Sequence, residues 1–594
     1  MQSPTRARER ALPWVLWAVV VLGAMLRWCW IGGTGDFAPH FDWAERILAG
    51  DLPGRDYVTT VVPGIHFLLA GLLSLVGDAV LWNQVLQHLA WAAGLAAGLA
   101  LALRLAAGDE GLRRIAAGGL LVAVPLSFPL STLGAPHNDA VTALCATAIL
   151  LLAVGGPSHL GRALAAGLLA GLAVWFKQNA GLAFAFGLAG YLALGRLLWP
   201  AVFPSWRVPL GALAGILTGI ALPALVQTLW LPLGEQAALY LQSAAGGKGG
   251  LATIVLRPLP RLILETQPMG STRRIAEALL SLGLLLPLAF LLVRSWRPGR
   301  PSPAGAPSWI WLAGLTAALG LVWGVSLIPA PSLRAVGAAL AGLLRQGSLH
   351  ALGLVLAYML CCTAALVLLW RLLTPWSARR RAAVCAATYP RALALGGVLL
   401  LLMGHATSSL YYTHSSLLIA APVLTVLAAR HWGLGRRAIA ALSLAPLLLG
   451  SLSPQHQPSF EELRPLPADS PFAGLWAPPP AAAAIARDWA LLPPLLADRR
   501  VLWLAPYGPL SAFGGRQVPG VAGFYQSTHA RAHEVRFFAL WQADPPEIVV
   551  QKPFVPIQDS YWAEEERLQR WLEANFHRVL ALPDLVVWQL GPPP

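Results

Sequence analysis

GDFAPHFDWAERILAGDLPGRDYVTTVVPGIHFLLAGLLSLVGDAVL, residues Gly35 to Leu81, sets how the rest of the chain is read. It follows the first long apolar run and carries six acids: Asp36, Asp42, Glu45, Asp51, Asp56 and Asp78. The 594-residue chain holds only 27 Asp and Glu in all, so their concentration beside an apolar run needs a reason. Pro39 to Ala49 reads as a short helix. Phe41, Ala44, Ile47 and Leu48 form its apolar face, with Asp42, Glu45 and Arg46 off that face on a solvated side. A helix patterned in this way lies in the plane of a membrane interface. Gly50, Pro53 and Gly54 end it. Pro63 to Val76 is apolar but only about 14 residues long, short of the ~20 that cross a bilayer, and reads as a re-entrant or interfacial helix. Gly77 and Asp78 close it.

The whole chain is 57% hydrophobic and 12% charged. A soluble globular domain is roughly 25% charged. Apolar runs of about 14 to 25 residues recur from residue 13 to residue 452, most of them near the ~20 of a membrane-crossing helix. The expected fold is an all-α polytopic membrane protein. Lys and Arg number 42 against the 27 acids. Most of them lie in short loops between apolar runs, where they set orientation, and no RNA or DNA motif accompanies them. Nucleic acid is therefore not an expected partner; membrane lipids are. Cys29, Cys145, Cys361, Cys362 and Cys385 lie in spans or towards their cytoplasmic ends, without metal-ligand spacing, so neither disulfides nor a cysteine metal site is expected. Arg6, Arg8 and Arg10 precede the first apolar run, and GAMLRWCWIGG has no signal-peptide cleavage pattern. That run reads as a retained span.

The Arg clusters fix the register. Spans are expected at about 13–33, 81–106, 115–131, 139–154, 163–176, 180–195, 209–229, 275–294, 308–328, 350–370, 391–404, 415–429 and 438–452. About thirteen spans put the N-terminus in the cytoplasm, the acidic loop 34–80 outside, and the C-terminal region outside, in the periplasm of an inner membrane. Residues 1–453 form the expected membrane domain. Residues 454–483 are rich in Pro and Ala and read as a linker. In 484–594, VLWLAP (501–506), EIVV (547–550), RVLAL (578–582) and LVVWQL (585–590) read as strands, and Tyr561 to Asn575 as an amphipathic helix. A small α/β domain is expected there.

Four polar groups fall at the outer ends of spans: Asp36 to Asp56; His137, Asn138 and Asp139; Lys177, Gln178 and Asn179; and His405 to His414, which includes Tyr411 and Tyr412. Ionisable groups beside spans are costly and mark functional sites. Each also has a plainer reading. Asp36, Asp78 and Asp139 are placed to cap helices, and Asp56 to pair with Arg55. Lys177 could snorkel to the interface, the tyrosines belong to an aromatic belt, and His66 and His405 are structural.

The joint pattern is more specific. The acidic motif after the first span is followed by Ala44-Glu45-Arg46-Ile47-Leu48-Ala49-Gly50, then Arg55-Asp56, then Pro63-Gly64 opening an apolar helix that ends in Val76-Gly77. With PHND at 136–139 and WFKQNAG at 175–181, this resembles GT-C glycosyltransferases of the protein-mannosyltransferase and lipid A aminoarabinose-transferase type. The resemblance runs over residues 13–195 and is architectural beyond.

It implies a membrane enzyme that moves a sugar from a polyprenyl-phosphate carrier to a lipid, glycan or protein acceptor at the periplasmic face. Inversion would follow from direct displacement, with an Asp as general base and no metal or other cofactor. The family acid falls on Asp36, with Asp42 as the alternative position and Asp139 a further catalytic carboxylate. Phe37 stands where the family often has a second acid, and Val62 where the aminoarabinose branch has a lysine. Phosphate binding then falls on Lys177, Arg257 or Arg261. Asp56, His137, Gln178, Asn179, Tyr411, Tyr412 and His414 complete the expected substrate contacts. A transporter or flippase of lipid-linked saccharides would share the spans and the lipid groove. Its polar breaks would sit near mid-membrane in paired repeats, whereas the acids here cluster at one face.

Overall fold

The computed structural model describes residues 4–25, 38–58, 62–77, 79–119, 136–242, 369, 381–406, 414–432, 463–504, 510–521, 536–551, 565–582 and 585–592. The spans expected at 275–294, 308–328 and 438–452 lie outside the described residues, as do most of 115–131 and 350–370.

Helices α1 (Pro4–Met25), α2 (Ala38–Leu48), α3 (Gly64–Val76) and α4 (Leu81–Leu105) open the chain. They are followed by α5 (Pro136–Gly155), α6 (Leu160–Ala173), α7 (Gln178–Leu198) and α8 (Arg207–Gln227), then by α9 (Arg381–Ala406) and α10 (His414–Trp432). Among the described residues, α4, α7, α8 and the stretch His137–Gly155 of α5 are long and apolar enough to cross a membrane. α1 begins at Pro4, inside the Arg-rich stretch expected to precede the first span. Arg and Glu are good helix formers and Pro is accepted in a first turn, so the basic segment is helical.

Helices α4, α5, α6, α7, α9 and α10 bury one apolar core that includes Trp91, Leu95, Val141, Phe184, Leu402 and Val423. α6 and α8 touch backbone to backbone, because a Cβ at Gly167 would run into the Ala212 carbonyl and one at Gly215 into the Leu164 carbonyl. Small residues allow such close approach where helices pack in lipid.

The C-terminal region holds a hairpin, β2 (Arg464–Pro465) with β3 (Trp476–Ala477), then α11 (Pro479–Leu496). The Pro/Ala-rich stretch 454–483 read as a linker is therefore built into the domain from Arg464 on. Pro479 sits at a helix start, where its missing N–H costs nothing, and the alanines that follow are the strongest helix formers. Strands β4 (Arg500–Leu504), β5 (Arg516–Gln517), β7 (Ile548–Gln551), β8 (Phe576–Leu582) and β9 (Leu585–Leu590) form one sheet in the order β5-β4-β7-β9-β8. β4 runs parallel to β5 and β7; β9 runs antiparallel to β7 and β8. α12 (Glu565–Asn575) packs Leu568 and Leu572 on the face that carries Leu502, Val549 and Trp588.

The sheet is covered on both faces, and one face closes on α2 and α3. Val501, Trp503, Ile548 and Val587 share a core with Phe41, Ala44, Ile65 and Leu69. Strand β1 (Tyr57–Val58) pairs in parallel with β6 (Gly520–Val521). The expected interfacial placement of α2, with Asp42, Glu45 and Arg46 facing solvent, is corrected by this docking. Asp42 is 2% and Arg46 4% exposed. Arg46 bonds Asp51 at 2.8 Å, donates to the carbonyls of Asp56 and Val518 at 3.3 and 3.2 Å, and lies over the Tyr57 ring. A buried guanidinium needs several acceptors, and the loop and the C-terminal domain supply them together.

Candidate active site

The polar side chains come together where α2, α3, the start of α5, the α6–α7 turn and the α9–α10 ends meet. α3 is pressed onto that turn. The Gly64 N–H donates to the Trp175 carbonyl at 2.8 Å, and a Cβ at Gly64 would collide with the same carbonyl. This holds the turn so that Lys177, in extended conformation just before α7, points its side chain inward. Lys177 is 7% exposed. Its Nζ donates to Asn138 Oδ1 at 2.6 Å and lies 3.4 Å from His137 Nε2. The amine is held inside the protein, not snorkelled to the interface.

A hydrogen-bond chain follows from that amine. An ammonium only donates, so His137 Nε2 accepts and its proton sits on Nδ1. Nδ1 lies 3.0 Å from His40 Nε2, which must accept in turn, leaving the His40 proton on Nδ1. Burial, then the Lys177 charge, hold the His40 imidazole down at about 3, so it is neutral near pH 7. His40 also packs against His66 and Trp43, with ring centroids 5.2 Å away in both cases.

His40 Nδ1, both ring nitrogens of His66, Asn138 Nδ2 and Asp139 Oδ2 are buried without a hydrogen-bond partner among the described residues. A buried donor left unmade costs about 1–3 kcal/mol. Three N–H donors beside a buried ammonium form a cluster suited to an oxyanion. Asp139 adds a buried carboxyl group beside them. Its Oδ1 accepts from Ser415 Oγ on α10 at 2.7 Å, so the carboxylate reaches across helices rather than turning back to cap α5. His405 bonds Ser416 Oγ at 2.9 Å and the Leu401 carbonyl at 3.1 Å, which fits the structural role expected of it.

The other expected residues divide. Asp42 Oδ1 accepts from the Ser511 N–H at 2.8 Å and the Ser511 hydroxyl at 2.7 Å. Those bonds join α2 to the C-terminal domain. Asp56 is engaged locally, by Arg55 at 2.6 Å and the Leu52 N–H at 2.8 Å. Burial opposes ionisation there, but the Arg55 and Leu52 hydrogen bonds prevail and hold its carboxyl below the usual range. Gln178 is buried at the start of α7, and Asn179 Oδ1 accepts from the Ala180 N–H. His414 begins α10. Asp36, Arg257, Arg261, Tyr411 and Tyr412 lie outside the described residues. Among the described residues, no group of three or more His, Cys, Asp and Glu could hold a metal ion.

Sequence reasoning missed His40 and assigned His66 to structure. The available signal was spacing. His40 and Trp43 lie three apart, on the side of α2 away from Phe41 and Glu45, so the helix has two working faces.

No family model matches the sequence, and no curated protein matches it. Solved structures do. The crystal structure of ArnT from Cupriavidus metallidurans bound to undecaprenyl phosphate aligns with a TM-score of 0.41 at 13% identity, covering 100% of both chains. The apo form of the same protein gives 0.41 at 13%, covering 98% of this chain and 100% of that one. The cryo-EM structure of the arabinosyltransferase EmbB from Mycobacterium smegmatis gives 0.28 at 15%, over 78% of this chain and 46% of that one.

Proposed function

We propose that the chain is an integral membrane glycosyltransferase of GT-C type that moves a sugar from a polyprenyl-phosphate carrier to an acceptor hydroxyl at the periplasmic face. The observation that carries this reading is the buried juxtaposition of Lys177, unpartnered N–H donors and the Asp139 carboxylate at one end of the spanning helices. A polyprenyl tail needs lipid-accessible helices, its phosphate needs a cation, and the attacking hydroxyl needs a base.

In the step proposed, the acceptor oxygen attacks C1 of the sugar from the side opposite the phosphate. The C1–O bond breaks, and its electron pair leaves on the carrier phosphate. The hydroxyl proton passes to a carboxylate, which we place at Asp36, and the configuration at C1 inverts. General base catalysis of this kind contributes typically ~10²–10⁴-fold. Lys177, with His40, His66 and Asn138, meets the charge that grows on the phosphate, and such preorganised donors act most strongly in a water-poor site. Asp139, fixed by Ser415, orients the acceptor. Asp42 and Asp56 hold the loop.

The test is the reaction itself. The purified full chain in lipid nanodiscs is incubated with a panel of radiolabelled polyprenyl-phosphate sugars and candidate acceptors, and products are identified. Transfer from at least one donor is expected. Movement of intact lipid-linked saccharide across liposomes without cleavage would replace this reading with the flippase.

A further inference from the structure

α2 separates two spaces. His40 and Trp43 face the buried His66, His137 and Lys177 cluster, while Phe41, Asp42 and Glu45 face the C-terminal domain. Between α2 and that domain lies a cavity of about 300 Å³, walled by Phe41, Trp489 and Phe513 and edged by Glu45, Ser511 and Gly514. Gly514 turns the chain at φ +93° with open space where a Cβ would be, so it shapes the rim by conformation. Nothing in the reaction proposed above uses this cavity.

We infer that it is a saccharide subsite, which takes one or two neutral sugar rings of the acceptor. The inference rests on the glycosyl-transfer reading and adds where the acceptor is held. Half-buried Trp489, backed by the buried rings of Phe41 and Phe513, forms an amphiphilic lining with one carboxylate. A sugar ring has the matching character: its C–H face packs on aromatic faces and its hydroxyl edge donates to a carboxylate. A purely apolar ligand would bury the Glu45 carboxylate against hydrocarbon, which is costly. An anionic ligand would meet it as a like charge. The volume is at the lower limit of small-ligand pockets, roughly 300–1,000 Å³, too small for a lipid chain. The site is also coupled to the Lys177 cluster through α2, since Ser511 lines the cavity and holds Asp42, one residue from Phe41 and two from His40. An acceptor seated there lies across a single helix from the proposed phosphate site.

The experiment uses saturation-transfer NMR on the full chain in nanodiscs, with N,N′-diacetylchitobiose, mannobiose, cellobiose and maltose as probes and spermidine as a cationic control. At least one disaccharide should bind through its ring protons. Glu45→Gln, which keeps shape and fold, should weaken that binding at least tenfold, as should Trp489→Ala. Affinity for undecaprenyl phosphate should be unchanged in both. No signal from any disaccharide, binding unaltered in Glu45→Gln, or binding of spermidine alone would each overturn the inference. If a disaccharide binds at this site while undecaprenyl phosphate does not bind the chain, the subsite stands and the glycosyl-transfer reading falls.

Discussion

Asp42 separates two roles that predict opposite outcomes for one conservative change. In the structure its Oδ1 takes both the N–H and the hydroxyl of Ser511. Asp42→Asn keeps an oxygen in place to accept both bonds but removes the charge. Hydrogen bonds to charged groups contribute about 1.5–3 kcal/mol and neutral ones about 0.5–1.5. Over two bonds the Asn variant should weaken docking of the loop by about 2–3 kcal/mol. Asp42→Ala loses both bonds, about 3–6 kcal/mol, and leaves the Ser511 N–H without its acceptor. Ser511→Ala removes only the hydroxyl bond, about 1.5–3 kcal/mol, and should be milder than Asp42→Ala. Amide hydrogen exchange over residues 38–58 reads docking, and turnover at saturating donor reads chemistry. Asp42→Asn should raise exchange by about 30- to 150-fold, the equivalent of that loss, and keep turnover within about tenfold of the wild type, well short of the ~10²–10⁴-fold loss of a general base. Asp42→Ala should release the loop and abolish transfer. A loss above a hundredfold in Asp42→Asn with exchange unchanged would make Asp42 the base and refute the docking role.

Further expectations are independent of that pair. Asp139→Asn should cut turnover severely with normal protein yield, because the amide still accepts from Ser415 but no longer offers a carboxylate; near-normal turnover would remove Asp139 from the site. His40 is held at about 3 when folded against an ordinary value of 6.5, so its stabilising contribution is complete above about 6.5 and shrinks as pH falls towards 3, by up to about 1.4 kcal/mol per unit. Tm measured against pH should therefore fall on acidification through that window, and His40→Gln should flatten the slope; a Tm that rises on acidification would contradict the burial argument. Cysteines introduced at Ser453 and Ser295 should label from outside and inside respectively, and the reverse pattern would move the site to the wrong face.

The long apolar helices among the described residues were legible from apolar length, with Arg near one end of α4, α7 and α8. α4, α7 and α8 end within a few residues of the expected spans. The central strands were legible as apolar runs, since β4 and β7 are buried on both faces. The two-residue strands β1 and β6 were not, because they exist only through their pairing across the chain. His137, Asn138, Asp139 and Lys177 stood out as polar groups at the ends of apolar runs. The burial of Asp42 was hidden, because its partner Ser511 lies 469 residues away. From the sequence alone, an acid on a helix beside a membrane looks solvated. His66 was hidden for a similar reason: an apolar helix gives no sign that a polar cluster lies against one of its faces.

The donor cluster around Lys177 is the proposed site of the carrier phosphate. The measurement is the affinity of the purified chain for undecaprenyl phosphate, compared between wild type and Lys177→Met. Met keeps the length of the side chain, and yield and Tm show whether the fold is kept. Loss of a charge-assisted hydrogen bond of about 1.5–3 kcal/mol should weaken binding roughly ten- to a hundredfold. Unchanged affinity in a folded Lys177→Met protein would contradict the account and move the phosphate to Arg257 or Arg261.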